Sequence, residues 1–407
     1  LLDSNFKCKR PTLFRFFQKQ FQHIPFKQAC KMNYVAPILF AEGSLSIPFN
    51  FDPKNLYQIH YLVAGKGPNT QSKWGHSMFR LVYCNPKRKV MGPDCLADYD
   101  HHVVVSFRAN INGFAPNVIS GLSGKYPSQL FLQSFIDSKN EYTKNQNREL
   151  SSYPINISRD NFPNFVSRVL EMYWDYSGKY YFISNNCATE SHYLLRAALG
   201  DALLTNRAIF TPKGLLKLLI ESNRISKIFV TLPESLSKLG LYFEPHSKVI
   251  DNKFQNLQGD LINFGWATFE DYLLTTTPET RLITFEKRID SHPNRKSLFA
   301  ALYLFESHIN TLRKFALNQK VSRYISNLDP ASKEHVSLTK FLLSINNRGR
   351  HKQLSSDFGI PMYETRSEEK QEHIGDAGAL RDWLINSFSN EFQELDQIKL
   401  NLNYLSN

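Results

Sequence analysis

The chain has 407 residues, enough for two or three domains, and carries 49 Lys and Arg against 37 Asp and Glu, a formal net charge of +12. No apolar run approaches the ~20 residues of a membrane span. No RNP-type motif, zinc-finger spacing or helix-turn-helix signature accompanies the positive charge, so nucleic acid ranks below an anionic membrane surface as its partner.

Read from the start, the chain opens Leu1-Leu2-Asp3 without Met or signal peptide, as expected of a mature or trimmed product. Residues 1–35 hold seven Lys and Arg against Asp3 alone. Within them Leu13, Phe14, Phe17 and Phe21 fall on one side of a predicted amphipathic helix, which would lie on a membrane surface or pack on the body of the protein. From about 36 to 130 the texture is that of strands, with 56–63, 77–83 and 102–108 β-rich and partly alternating. Residues 129–138 read as a helix, 150–157 as a strand and 160–176 as an amphipathic helix. Beyond about 205 the pattern is helical, notably over 212–222, 296–319 and 379–400, and the last fifty residues turn acidic and polar.

Five cysteines make an odd count: Cys8, Cys30, Cys84, Cys95 and Cys187. Pairing sequence neighbours gives two local disulfides and leaves Cys187 free, the pattern of an exported protein with one reactive thiol. Four thiols allow three pairings, and a reducing compartment would allow none.

The run Tyr180-Tyr181-Phe182-Ile183-Ser184-Asn185-Asn186 leads into Cys187, from which Ala188, Leu194, Leu195, Ala198 and Leu199 repeat at helical spacing up to Gly200. A cysteine in the first turn of a helix faces N–H groups without intrahelical partners, which favours the nucleophilic thiolate. The alternative is a small buried apolar residue.

A thiolate nucleophile calls for a base, usually histidine, oriented by a third polar group. Among twelve histidines, His76 in Trp74-Gly75-His76-Ser77-Met78-Phe79-Arg80 stands where a loop enters a strand, with Gly75 allowing close backbone approach. His60 sits inside an apolar strand. His192 lies about 140° further round the helix from Cys187. His102 and Ser106 on the next strand are candidates for the orienting position, with His101 and Asn110 behind them. The backbone at the helix start, with Asn186, would support an oxyanion.

Trp74-Gly75-His76-Ser77 before a strand, followed by Asn186-Cys187-Ala188-Thr189, resembles the bacterial Lnb-type domain, the family of the Bacteroides lipoprotein N-acyltransferase. Ala188 stands where that family has Thr. The stretch 121–126, Asn147-Arg148-Glu149-Leu150 with Tyr153, and Thr211-Pro212 extend the resemblance over roughly 50–220. The order His then Cys is also similar to permuted papain-like enzymes such as lecithin:retinol acyltransferase.

The resemblance implies an α+β fold with a permuted papain-like (NlpC-like) core over 36–205, between the basic segment 1–35 and a helical domain over 206–407. It implies a periplasmic, membrane-associated acyltransferase in the bacterial cell envelope. His76 would deprotonate Cys187, an acyl chain would pass from phospholipid to the sulfur, and from there to a lipoprotein's N-terminal amine, with no metal or cofactor. A papain-like peptidase or amidase, or a non-catalytic periplasmic scaffold, would fit the same residues.

Overall fold

The computed structural model describes residues 34–40, 45–67, 75–109, 124–176, 178–200, 208–231, 233–290, 292–329, 332 and 383–406. The helix expected over 13–21, Cys8 and Cys30, Trp74 and Asn110 lie outside the described residues. The described chain divides into two units. The first holds residues up to Glu141 and Glu149–Phe243, and the second Tyr142–Arg148 and the described residues from Glu244 on.

The first unit is built on strands β1 (Val35–Phe40), β2 (Leu45–Asn50), β3 (Leu56–Ala64), β4 (His76–Tyr83), β5 (Val103–Ala109), β6 (Tyr126–Ser134), β7 (Leu150–Pro154), β8 (Gly178–Tyr180) and β9 (Tyr242–Phe243). They form one sheet in the order β2-β1-β6-β5-β4-β3-β7-β9, with β8 added to β6. The β1–β6 pair is parallel and the other pairs are antiparallel.

Register fixes which side chains share a face. Ile59 opposes Leu81, Tyr61 opposes Phe79, Phe79 opposes Val105 and Val105 opposes Leu132. These residues form one apolar face, and side chains alternate across a strand, so the residues between them face the other way. The apolar face is covered by α2 (Phe162–Asp175), α3 (Cys187–Leu199) and α4 (Pro212–Glu221), whose Phe165, Val169, Leu194, Leu195, Leu215 and Leu219 join the same core. This first unit therefore runs past residue 205, since α4 supplies core side chains and β9 pairs with β7.

The helix expected over 129–138 is instead strand β6 through Ser134, followed by the short helix α1 (Phe135–Asn140). Leu130 and Leu132 are buried at period two against β5, and the Ser134 hydroxyl caps α1 by accepting from Asp137 N–H.

The opposite sheet face holds a fully buried cation. Arg80 donates to the Gly240 carbonyl at 2.8 Å, the Leu96 carbonyl at 3.1 Å and His102 Nδ1 at 2.9 Å, and its guanidinium lies 4.0 Å from the Phe135 ring centroid. Its hydrogen bonds go to carbonyls, an imidazole and a serine hydroxyl rather than to a carboxylate, so these dipoles and the ring solvate the charge. His102 Nε2 donates to the Cys95 carbonyl at 2.8 Å, which ties the Cys84–Cys95 disulfide loop to this cradle.

Burial, then the Arg80 charge, hold both nearby imidazoles neutral: His102 is pushed down to about 3 and His60 well below its ordinary value. As pH falls the unfolded chain therefore takes up protons before the folded one. Stability is expected to be intact above about pH 6.5 and to decline towards pH 3, by about 1.4 kcal/mol per pH unit from His102, with His60 acting in the same direction. Urea titrations between pH 6.5 and 4 should show a shallower decline in His102→Gln, and an unchanged slope would contradict this account.

The second unit packs α5 (His246–Asn256), α6 (Phe269–Leu274), α7 (Pro278–Thr284), α8 (Arg295–Ser326) and α9 (Ser389–Ser406) around Trp266, Tyr272, Phe285, Phe305 and Ile398. Arg281 and Glu306 form a buried ion pair at 2.6 Å, and Asn401 on α9 donates to Glu306 Oε2 at 3.1 Å.

Candidate active site

Helix α3 begins where Asn186 adopts extended backbone and caps it. Its Oδ1 accepts from Ala188 N–H at 2.9 Å and Thr189 N–H at 3.4 Å. Its Nδ2 donates to the carbonyls of Phe182 at 3.1 Å and Phe210 at 2.8 Å. Thr189 Oγ1 donates to the Ile209 carbonyl at 2.6 Å and the Ser184 carbonyl at 3.2 Å. Asn186 thus supports the site as cap and clamp, with its amide protons committed to those two carbonyls. Ala188 is completely buried in the core under the sheet.

Cys187 is the free cysteine of the described residues and is 5% exposed. The backbone and hydroxyl of Ser77, the hydroxyl of Tyr180 and the backbone of Ala188 lie near the sulfur and each favours its thiolate form. The Cys187 N–H donates to the Tyr180 hydroxyl at 3.3 Å. Burial pushes the thiol up above its ordinary value, and these groups offset only part of that. Burial at the helix start therefore outweighs the nearby polar groups and favours the protonated thiol.

His76 is the first residue of β4 and the neighbour of Ser77. Gly75 before it has φ of +84°, and a Cβ there would come within 2.7 Å of the Ala64 carbonyl oxygen, so only glycine allows this entry into the strand. His76 Nε2 hydrogen-bonds Ser106 Oγ at 2.9 Å. Ser106 Oγ also accepts from Arg108 Nε at 3.1 Å, and Arg108 pairs with Glu141 at 3.1 Å. Ser106 opposes Met78 in the sheet, which puts the ring on the face away from the helices, while Ser77 turns towards Cys187. The structure brings His76 and Ser106 together and sets Cys187 against the adjoining residue of the same strand. His76 is not among the described hydrogen-bond partners of the sulfur. His102 is engaged by Arg80 and Cys95, apart from both.

Three participants were missed in the sequence. Ser77 and Tyr180 touch the thiol, and no local pattern announces either. Glu190, one turn beyond Cys187, is buried and accepts from the Tyr176 hydroxyl and from Asn185 Nδ2 at 2.9 Å. Burial raises both its carboxyl and the Tyr176 phenol above their ordinary values. Asn185 also donates to the Lys179 carbonyl at 2.8 Å, so Glu190 fixes the turn that leads into the helix. The described residues contain no group of three or more side chains suited to a metal.

The arrangement is that of an α+β protein whose buried thiol opens a helix laid on an antiparallel sheet region. Residues 49–222 match the family model described as the Lnb N-terminal periplasmic domain, so this stretch of the chain is similar to an Lnb-type domain. The family description assigns the domain to the periplasm, and the Cys84–Cys95 disulfide is in keeping with that compartment. No match was found among the curated proteins or among the solved structures. Among the described residues no helix is long and apolar enough to cross a membrane.

Proposed function

We propose that this protein is a cysteine acyltransferase that moves a fatty-acyl chain from phospholipid to the N-terminal amine of a bacterial lipoprotein, on a permuted papain-like core. The observation that carries the reading is the free, nearly dry Cys187 thiol at the start of α3, within a stretch that matches the Lnb-type domain. Two features favour the papain-like core: the strand carrying His76 precedes the helix carrying Cys187, and that helix packs on β4 and β5.

In this scheme His76 takes the Cys187 proton, which requires its ring to leave Ser106 and the start of β4 to shift, since the ring lies on the sheet face away from the sulfur. The sulfur attacks the ester carbonyl, and its oxyanion is held by the Cys187 N–H, which exchanges its long 3.3 Å bond to Tyr180 for the oxyanion, and by the Tyr180 hydroxyl. Collapse breaks the ester C–O bond, and the leaving lysophospholipid takes the proton back from His76. The free α-amine then attacks the thioester, an amide forms, and the displaced thiolate recovers a proton. Near-complete burial of the sulfur keeps water from the thioester between the two halves.

Incubation of the purified chain with phospholipid vesicles and a diacylated lipopeptide bearing a free amine tests the reading. Equal amounts of lysophospholipid and N-acylated lipopeptide are expected. Free fatty acid without amide, or cleavage of the peptide itself, would identify a hydrolase instead.

A further inference from the structure

We propose that Ile183 and Phe210, bordered by exposed lysines, form an apolar lip beside Cys187 that docks on the surface of an anionic phospholipid bilayer; the inference rests on the acyl-transfer reading of the same site. Ile183 is 59% exposed and Phe210 48% exposed. Ile183 stands in the turn closed by the Tyr181 N–H to Asn185 carbonyl bond at 2.9 Å. The turn and the segment that carries Phe210 are clamped side by side. Asn186 Nδ2 donates to the Phe182 and Phe210 carbonyls, and Thr189 Oγ1 donates to the Ser184 and Ile209 carbonyls. Gly124 lets the Tyr181 ring lie over its backbone, since a Cβ there would run into that ring. The two apolar tips are therefore held outward by the first turn of the helix that carries the thiol.

Charge decides what covers them. Residues 178–190 and 208–214 contain Lys179, Lys213 and Glu190 as their charged side chains, and Glu190 is buried. Lys179 and Lys213 are exposed, as is Lys125 at the entrance to β6. The outward charge of these segments is thus wholly positive around two apolar tips. Apolar tips enter the boundary between headgroups and acyl chains, while lysines reach the lipid phosphates. Seated this way, the protein receives its acyl donor at the thiol without the lipid leaving the bilayer.

Cosedimentation of the full chain with phosphatidylglycerol/phosphatidylethanolamine vesicles tests the lip. Ile183→Ser with Phe210→Ser should bind at least about tenfold more weakly than the wild type. Lys179→Gln with Lys213→Gln should lose about fivefold per lysine at low salt. Wild-type affinity in the double serine variant overturns the proposal. Should that variant fail to fold, Ile183→Trp decides: quenching of its fluorescence by acyl-chain bromines supports the lip, and absence of quenching overturns it. Acylation of Cys187 in detergent micelles separates the two readings. Acylation with unchanged vesicle binding sinks the lip alone, and weakened vesicle binding without any acylation sinks the transferase alone.

Discussion

Cys187→Ala is expected to reduce N-acylated lipopeptide to the uncatalysed background, a loss of more than about a thousandfold. The argument is chemical. Both halves of the proposed reaction pass through a bond to this sulfur, and no other described thiol is free to replace it. Cys187→Ser should fare little better, since a hydroxyl in the same position is far less ionised than a thiol. The fold should survive both changes. Asn186 caps the helix through Ala188 and Thr189, not through the sulfur, so the far-ultraviolet circular dichroism should stay that of the wild type. A Cys187→Ala protein that keeps a tenth or more of the activity would contradict the scheme.

The second large effect is expected at His76. Removing a general base costs about 10²- to 10⁴-fold, so His76→Ala should lower kcat within that range and leave KM for phospholipid nearly unchanged. Burial raises the Cys187 thiol, so without the base the rate should follow the small thiolate fraction. The His76→Ala rate should climb about tenfold per pH unit well into the alkaline range, whereas the wild type levels off earlier. Ser106→Ala removes the 2.9 Å bond that holds the ring away from the thiol, so kcat in this variant is expected to stay level or rise rather than fall. Unchanged kcat in His76→Ala would remove this residue from the mechanism.

These expectations also mark what could be read from the chain. The Cys187 helix was legible because its signals are local: Asn186 as cap, apolar residues at helical spacing, and Gly200 in the left-handed conformation at its end. The Cys84–Cys95 pair was legible from an eleven-residue separation within one strand connection. The surroundings of the thiol were not. Ser77 meets it only because β4 enters the sheet in one register, and Tyr180 only because β8 pairs with β6. The sign of the thiol's shift was misread for a related reason. A helix start supplies N–H donors, but sequence does not show that packing under the sheet removes water more effectively than those donors replace it. Residues 129–138 read as a helix, and the first part of that stretch belongs to strand β6, because Leu130 and Leu132 alternate over too short a run to exclude helical spacing.

The central claim is that Cys187 carries the acyl chain between donor and acceptor. Intact-protein mass spectrometry after incubation with phospholipid alone, followed by peptide mapping, tests it most directly. The account predicts one fatty-acyl adduct, mapped to Cys187, released by hydroxylamine as a thioester and discharged on adding an amine-bearing lipopeptide. A protein that consumes phospholipid while Cys187 remains unmodified, or that carries its acyl group on another residue, would contradict it.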